Sequence, residues 1–221
     1  MILSTGRRFV FIHIPKTGGT SLAMALEARA MKDDILLGDT PKAHRRRRRL
    51  NTVAARGRLW KHATMADIDG LVPGPDLEGL FAFTLVRNPW DRAVSYYHWL
   101  QGQSFDHPAV DLARRLPFDA FATHAQTRDG FRAWPAARYM RRADGVEQCS
   151  AYIRIERFER DAASLMAHLG FDLTLPRLNA SQRDRDYRRY YTDAAADAVA
   201  DSCAEDIARF GYGFGALDPA G

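Results

Sequence analysis

The chain has 221 residues, 46% hydrophobic and 27% charged, a composition that fits one well-formed globular core and is short for two domains. Two cysteines, Cys149 and Cys203, are too few for a disulfide framework or a cysteine zinc site, and no apolar run reaches the ~20 residues of a membrane helix. The formal net charge of +5 is carried almost wholly by arginine, lysine occurring only at Lys16, Lys32, Lys42 and Lys61; this favours anionic partners without choosing among nucleotides, acidic sugars, nucleic acid and lipid.

Residues 9–14, "FVFIHI", are aromatic and β-branched and read as a buried strand. The turn "PKTGG" follows, then "TSLAMALEARAM" with helical spacing, so the chain opens with an α/β unit. A second unit begins at "FAFTLV", 81–86, where Asn88 is a natural N-cap and Pro89 a natural first helical residue for "PWDRAVSYYHWL". A third begins at "YIRIE", 152–156, with a helix over "ERDAASLMAHLG" that Gly170 closes. "TDAAADAVADSCAEDIARFGYG" reads as one last helix capped by Thr192. Residues 40–66, which carry "HRRRRR" and no acidic residue, and 101–136, with one helix near "FDAFATHA", are expected to be irregular segments or short helices over the sheet's end. Alternating strands and helices predict a single α/β domain over 1–221, a P-loop-like three-layer fold with a central mostly parallel sheet flanked by helices. After Arg7 and Arg8 the chain enters the first strand with no signal-peptide apolar region, so a soluble cytoplasmic protein is expected.

"PKTGGTS" has the chemistry of an anion cradle. Gly18 and Gly19 admit close backbone approach, the N–H groups of Gly19, Thr20 and Ser21 stand at a helix N-terminus, and Thr17, Thr20 and Ser21 add hydroxyls. A glycine pair alone would serve equally as a connector; the lysine and three hydroxyls around it point to a ligand. The Walker pattern G-x-x-x-x-G-K-[ST] is absent, because Lys16 precedes the glycines. The second strand ends in Arg87, where a metal-dependent phosphoryl transferase commonly has an aspartate. An arginine there repels a metal and attracts a phosphate, and Ser95, two helical turns on, can converge on the same anion. Two phosphate sites without a metal site suit a nucleotide with phosphates at both ends.

"FIHIPKTGGTSL" followed by "FTLVRNPWDRAVSYY" resembles the PAPS-dependent sulfotransferases, in the carbohydrate and membrane-type branch that includes uronyl 2-O-sulfotransferases and small bacterial relatives. "IRIERFERDAASLMAHLG", "LNAS" and "YRRYYTDAAADAVADSCAEDIARFGY" extend the resemblance nearly end to end. It implies a donor, 3′-phosphoadenosine 5′-phosphosulfate (PAPS), released as the 3′,5′-bisphosphate PAP, with no metal. Its 5′-phosphosulfate would sit on Lys16, Thr17, Gly18, Gly19, Thr20 and Ser21, with Lys16 catalytic at the bridging oxygen. The 3′-phosphate would take Arg87 and Ser95; Asn179 and Ser181 would close over the donor, with Arg183 a further phosphate contact. The implied acceptor is a carbohydrate or glycoconjugate hydroxyl. The expected general base is His62 in "KHATMADI", with His98 as an alternative and His13 read as a packed strand histidine. Arg154, Arg157 and Glu159 are expected in a packing network around the third strand.

Two other functions stay open at this stage: a nucleotide or small-molecule kinase with an atypical loop, and a non-catalytic binder of nucleotides or polyanions. The arginine run over 45–49 has no interleaved aromatics and belongs to no nucleic-acid recognition module, so a solvated loop or an anion-access rim is expected and no nucleic-acid partner.

Overall fold

A computed structural model describes residues 1–47, 54–176 and 183–215. Its strands are β1 (Ile2–Ser4), β2 (Phe9–Ile12), β3 (Ile35–Leu36), β4 (Phe81–Val86) and β5 (Ala151–Arg154). The helices are α1 (Gly19–Ala28), α2 (Pro41–Arg46), α3 (Gly74–Glu78), α4 (Pro89–Gln101), α5 (Pro108–Arg115), α6 (Phe118–Thr123) and α7 (Ala125–Ala133), then α8 (Ala136–Met140), α9 (Phe158–Asp161), α10 (Ala163–Leu169), α11 (Asp193–Ser202) and α12 (Ala204–Phe210). By packing, the chain groups into two compact units, Met1–Val86 with Ala136–Leu178, and Arg87–Pro135 with Asn179–Gly221.

The first unit holds the sheet, in the order β3-β1-β2-β4-β5. β2 pairs parallel with β4, and β4 with β5, while β1 lies antiparallel between β2 and β3. Reversing direction twice brings β3 back into line with β2, so four of the five strands run the same way and the mostly parallel α/β sheet is as expected. The register sets Ile12 opposite Thr84, and Val86 opposite Arg154. The loop after β2 therefore leaves the carboxyl end of a parallel strand inside the sheet, the place where α/β sheets bind ligands.

Phe9, Phe11, Phe83, Leu85 and Ile153 alternate onto one face and bury Leu22 and Leu26 of α1, Phe158 of α9 and Leu165 of α10. On the opposite face Val10, Ile12, Ala82 and Thr84 are also buried, and α8 packs against β4. Strands covered on both sides read as continuous apolar runs, and so "FVFIHI" and "FAFTLV" were visible. β1 and β3 are three and two residues long, and nothing that short carries a detectable period.

The second unit is helical in its described part. Its core gathers Trp90, Val94, Tyr97 and Leu100 of α4 with Phe118, Phe121 and Val199. Asn88 caps α4, its side chain accepting from the N–H groups of Trp90 at 3.1 Å and Asp91 at 3.4 Å. Its amide in turn donates to the Tyr187 hydroxyl at 3.2 Å and the Gly213 carbonyl at 3.3 Å, tying the cap to a later segment of this unit.

Three elements differ from expectation. The helix over 159–170 breaks at Ala162, although Gly170 does close it in a left-handed conformation with φ 73°. The final helix breaks at Cys203, φ −114°, while Thr192 caps α11 as foreseen by accepting from the Ala195 N–H. Residues 101–136 hold three helices, α5 to α7, where one was expected. α5 and α7 start at His107 and His124, whose ring nitrogens accept from the N–H groups of Ala109 and Gln126. Histidine is an uncommon cap, so the usual Ser/Thr/Asp/Asn signal was missing there.

Candidate functional site

The anion loop is built by the abrupt turn from β2 into α1. Lys16 and Gly18 both take left-handed backbone conformations, φ 67° and φ 85°. Lys16 is, with Arg8, one of two non-glycine residues at positive φ among the described residues. For an L-residue that conformation costs about 1–2 kcal/mol. Between them Thr17 is buried, and its hydroxyl donates to the Ile14 carbonyl at 2.9 Å, so its proton closes the turn.

Both glycines are required by what lies beneath them. A Cβ on Gly18 would stand 2.1 Å from Cδ1 of Ile155, just past β5, and φ 85° disfavours a side chain anyway. A Cβ on Gly19 would stand 2.1 Å from Cδ2 and 2.5 Å from Nε2 of His13. His13, expected as a packed strand histidine, is packed but stands one residue past β2, where it forms the floor of the loop under Gly19.

α1 opens with Gly18 as its cap, which has no side chain to close it, and with no acidic residue in its first turn. The N–H groups of Ser21 and Leu22 both turn back to the Gly18 carbonyl, at 3.0 and 3.5 Å. Of the three N–H groups expected to face an anion, Ser21's is therefore shared with the loop, leaving those of Gly19 and Thr20, which as first-turn groups have no intrahelical acceptor. Thr20 is exposed and Ser21 half-buried, so both hydroxyls are accessible. A tight glycine turn packed on Ile155 and His13, opening into a helix N-terminus without a resident carboxylate, fits a phosphate-type anion.

His62 reaches this loop through the strand beneath it. Its Nδ1 lies 2.7 Å from the His13 carbonyl oxygen, and its ring meets that of His13 edge-on with centroids 4.6 Å apart. Trp60 packs on it, centroids 5.0 Å apart. Because a carbonyl only accepts, Nδ1 carries the hydrogen and Nε2 the lone pair. Burial lowers the His62 pKa to about 4, against the smaller upward pull of the His13 carbonyl. Burial, and then the neighbouring His62, holds His13 well below the ordinary range too. Both imidazoles are neutral at pH 7. Lys61 beside them pairs with Asp39.

The second unit holds the arginine site. Arg87 grips Asp91, Nε and Nη2 both donating to Oδ2, at 2.8 and 2.5 Å. The other oxygen, Oδ1, accepts from Nη2 of Arg183 at 2.5 Å. Arg183 keeps only 10% of its side chain exposed, and its Nη1 is buried without a hydrogen-bond partner among the described residues. Asp91, Ser95 and His98 share one face of α4, by their spacing of four and three residues. Nε2 of His98 is also buried without a hydrogen-bond partner among the described residues. Burial and then the Arg183 charge lower the His98 pKa. His98 is packed against Tyr190 and belongs to this arginine cluster, while His62 belongs to the loop; the structure separates the two candidate bases into different units.

Asn179 and Ser181 lie outside the described residues, as do Arg48 and Arg49 of the arginine run. The start of that run forms α2, capped by Thr40, where Arg46 donates to the carbonyls of Met31 and Asp34. Arg154 makes its ion pair with Asp161, through Nε at 2.6 Å and Nη2 at 3.0 Å. Sequence reading named Arg154 but missed this partner, and it missed Asp91. Asp91 had a signal: aspartate four residues after an arginine, in the first turn of a helix, is a standard ion-pair spacing. Nothing in the sequence marked His13 as the floor under Gly19, because that contact is made by a residue just past β2 packing under the loop that follows it.

No family model matches the sequence, and no curated protein does. Among solved structures, the crystal structure of mouse sulfotransferase SULT7A1 complexed with PAP is similar, with 16% identity, 91% of this chain and 84% of that chain covered, and a TM-score of 0.45. Likeness of that degree decides nothing about chemistry, which has to come from the residues themselves.

Proposed function

We propose that the chain is a sulfotransferase that moves the sulfuryl group of 3′-phosphoadenosine 5′-phosphosulfate to a hydroxyl, with the glycine loop taking the 5′-phosphosulfate and Arg87 and Ser95 the 3′-phosphate. Two features, each within its own unit, support this reading: a tight glycine turn with its lysine ahead of the glycines, and, at the start of α4, an arginine where a metal-holding carboxylate would otherwise stand. The donor supplies the group transferred; everything else is done by the chain. The N–H groups of Gly19 and Thr20, with the Thr20 and Ser21 hydroxyls, would hold the anion and fix its direction. Lys16 would place its ammonium where negative charge builds on the departing oxygen, an interaction stronger in the transition state than before it. Thr17 would act from below, holding the turn through Ile14.

His62 is assigned the acceptor proton, which Nε2 would take while Nδ1–H stays on the His13 carbonyl. A base whose pKa is near 4 is always neutral at pH 7 but weak, and an anion held in the adjoining loop would raise it by favouring the protonated ring. The acceptor we assign is a carbohydrate or glycoconjugate hydroxyl, on the resemblance of the two motifs to the carbohydrate branch. Closure over the donor by Asn179 and Ser181 belongs to the same proposal.

The test is a thermal shift with the 3′,5′-bisphosphate product in EDTA. Stabilisation that persists without magnesium and vanishes in Arg87→Ala is expected. An absolute requirement for ATP and magnesium in transfer assays would replace this reading with a kinase. Donor binding without transfer to any acceptor in a broad panel, read by mass spectrometry, would replace it with a non-catalytic nucleotide binder.

A further inference from the structure

His13 is given no step in the proposed transfer, yet it touches both the anion loop and the proton acceptor. It stands one residue past β2 and is 7% exposed. Its ring stacks on that of Phe11, with centroids 5.8 Å and planes 19° apart. Phe11 is fully buried and stacks in turn on Phe83 of β4 at 5.4 Å. The imidazole thus continues the aromatic core of the sheet past the last paired residue of β2, on the face that Phe11 occupies. A ring packed into a core of that kind has little room to move.

The ring makes two further contacts. A Cβ on Gly19 would fall 2.1 Å from its Cδ2 and 2.5 Å from its Nε2, so this edge lies directly under Gly19. Gly19 opens α1 and supplies one of the two N–H groups assigned to the anion, and the ring beneath sets how deep that donor sits. The second contact is with His62, met edge-on with centroids 4.6 Å apart. The His13 carbonyl also takes the hydrogen bond of His62 Nδ1–H, at 2.7 Å. Main chain and side chain of one residue therefore hold His62 at two points: the carbonyl fixes the tautomer, and the ring restricts tilt. Ile155 under Gly18, the Thr17 bond to Ile14 and Trp60 on His62 support the loop or the base; His13 joins the two.

We propose that His13 is a positioning residue that ties the anion loop to the proton acceptor: one packed ring and its own carbonyl hold Gly19 and His62 in a fixed relation. This rests on the reading of the loop as the donor site and of His62 as the base. Transfer needs the donor and the proton acceptor aligned at once, and a displacement of about 1 Å costs on the order of a hundredfold in rate. A shared support keeps that alignment when either part shifts. The opposing view is that His13 only fills space beneath the loop.

Calorimetric titration with PAP and NMR of the histidine rings, both on the full chain, separate the two. In the wild type PAP should bind, and its binding should move the His62 ring resonances. His13→Leu keeps apolar bulk in a buried place but offers no flat edge. It should weaken PAP about tenfold, the usual cost of losing an orienting partner behind a ligand-binding group. It should also raise the His62 midpoint from about 4 toward 6.5 as water reaches the ring. Lys61, the amino terminus and Asp39, whose charges also act on His62, are untouched by the substitution. Ile155→Val withdraws Cδ1 from Gly18 and should weaken PAP while leaving the His62 midpoint in place. A lower urea midpoint in His13→Leu with PAP affinity and His62 unchanged makes the residue a filler and overturns the proposal. So does weakened PAP with an unmoved His62, or an Ile155→Val that moves His62 equally. Should His13→Leu not fold, the wild type decides: PAP that binds without disturbing the His62 resonances overturns the tie and leaves the sulfotransferase reading intact. A wild type that does not bind PAP overturns that reading, and this inference with it.

Discussion

The two buried, edge-on imidazoles of His13 and His62 make an acid response that can be worked out in advance. His62 has an ordinary pKa of 6.5 in the unfolded chain and about 4 in the fold, where burial disfavours its charge. Above pH 6.5 neither state is protonated there, and stability is full. As pH falls from 6.5 toward 4 the unfolded chain binds a proton that the native state refuses, so stability drops, and below 4 both states are charged and the loss stops growing. The depression from 6.5 to about 4 corresponds to at most about 3 kcal/mol, less whatever solvent relaxation returns. His13, held low by burial and by His62, adds a loss of the same sign, so the wild type alone would not isolate the effect. The comparison to make is wild type against His62→Gln, by urea denaturation at intervals from pH 7 to 4.5. Gln keeps an N–H for the His13 carbonyl and removes the titration. The variant should start lower at pH 7 and lose less stability on acidification, the curves converging toward pH 4.5. Parallel curves, or an NMR midpoint for the His62 ring at 6 or above, would refute the burial argument.

Other outcomes follow from the loop and its supports. Gly19→Ala forces a methyl to within 2.1 Å of the His13 ring, an overpacking worth about 1–3 kcal/mol, and should lower the urea midpoint and donor affinity together; His13→Ala in the same chain should relieve part of the clash, giving a non-additive double-mutant cycle. Lys16→Met should depress turnover far more than affinity for the 3′,5′-bisphosphate in single-turnover and binding assays, since its ammonium is assigned to charge that develops only in transfer; equal losses would remove it from that role. Asp161→Ala strips Arg154 of its paired carboxylate beside β5 and should cost about 1–3 kcal/mol by denaturation with no change in nucleotide specificity.

The sequence announced the parts of this molecule whose chemistry is local. "FVFIHIPKTGGTS" and "FAFTLVRNP" each carry strand, turn and helix signals within a dozen residues, and their strands proved to be neighbours in the sheet. What stayed hidden depends on contacts between distant residues or on elements too short to show a period. β1 and β3 exist because β2 offers an edge, and Gly18 is constrained by Ile155, which no sequence spacing reveals. The breaks at Ala162 and Cys203 fall inside runs with good helix formers on both sides, and composition gives no warning of them. Thr17 shows the subtler limit. Reading its hydroxyl as ligand-facing was reasonable from residue type, but the turn that creates the site also claims that hydroxyl's proton for Ile14.

The left-handed backbone of Lys16 sets selection for folding against selection for function at a single codon. Glycine would adopt φ 67° without strain, so Lys16→Gly removes a conformational penalty of about 1–2 kcal/mol while deleting the loop's only ammonium. A library screened for thermal tolerance should therefore enrich glycine at this position, and one screened for transfer should purge it. The lysine is a residue that drift toward stability would erase, which makes its identity in any related chain a direct readout of whether the chemistry is still in use.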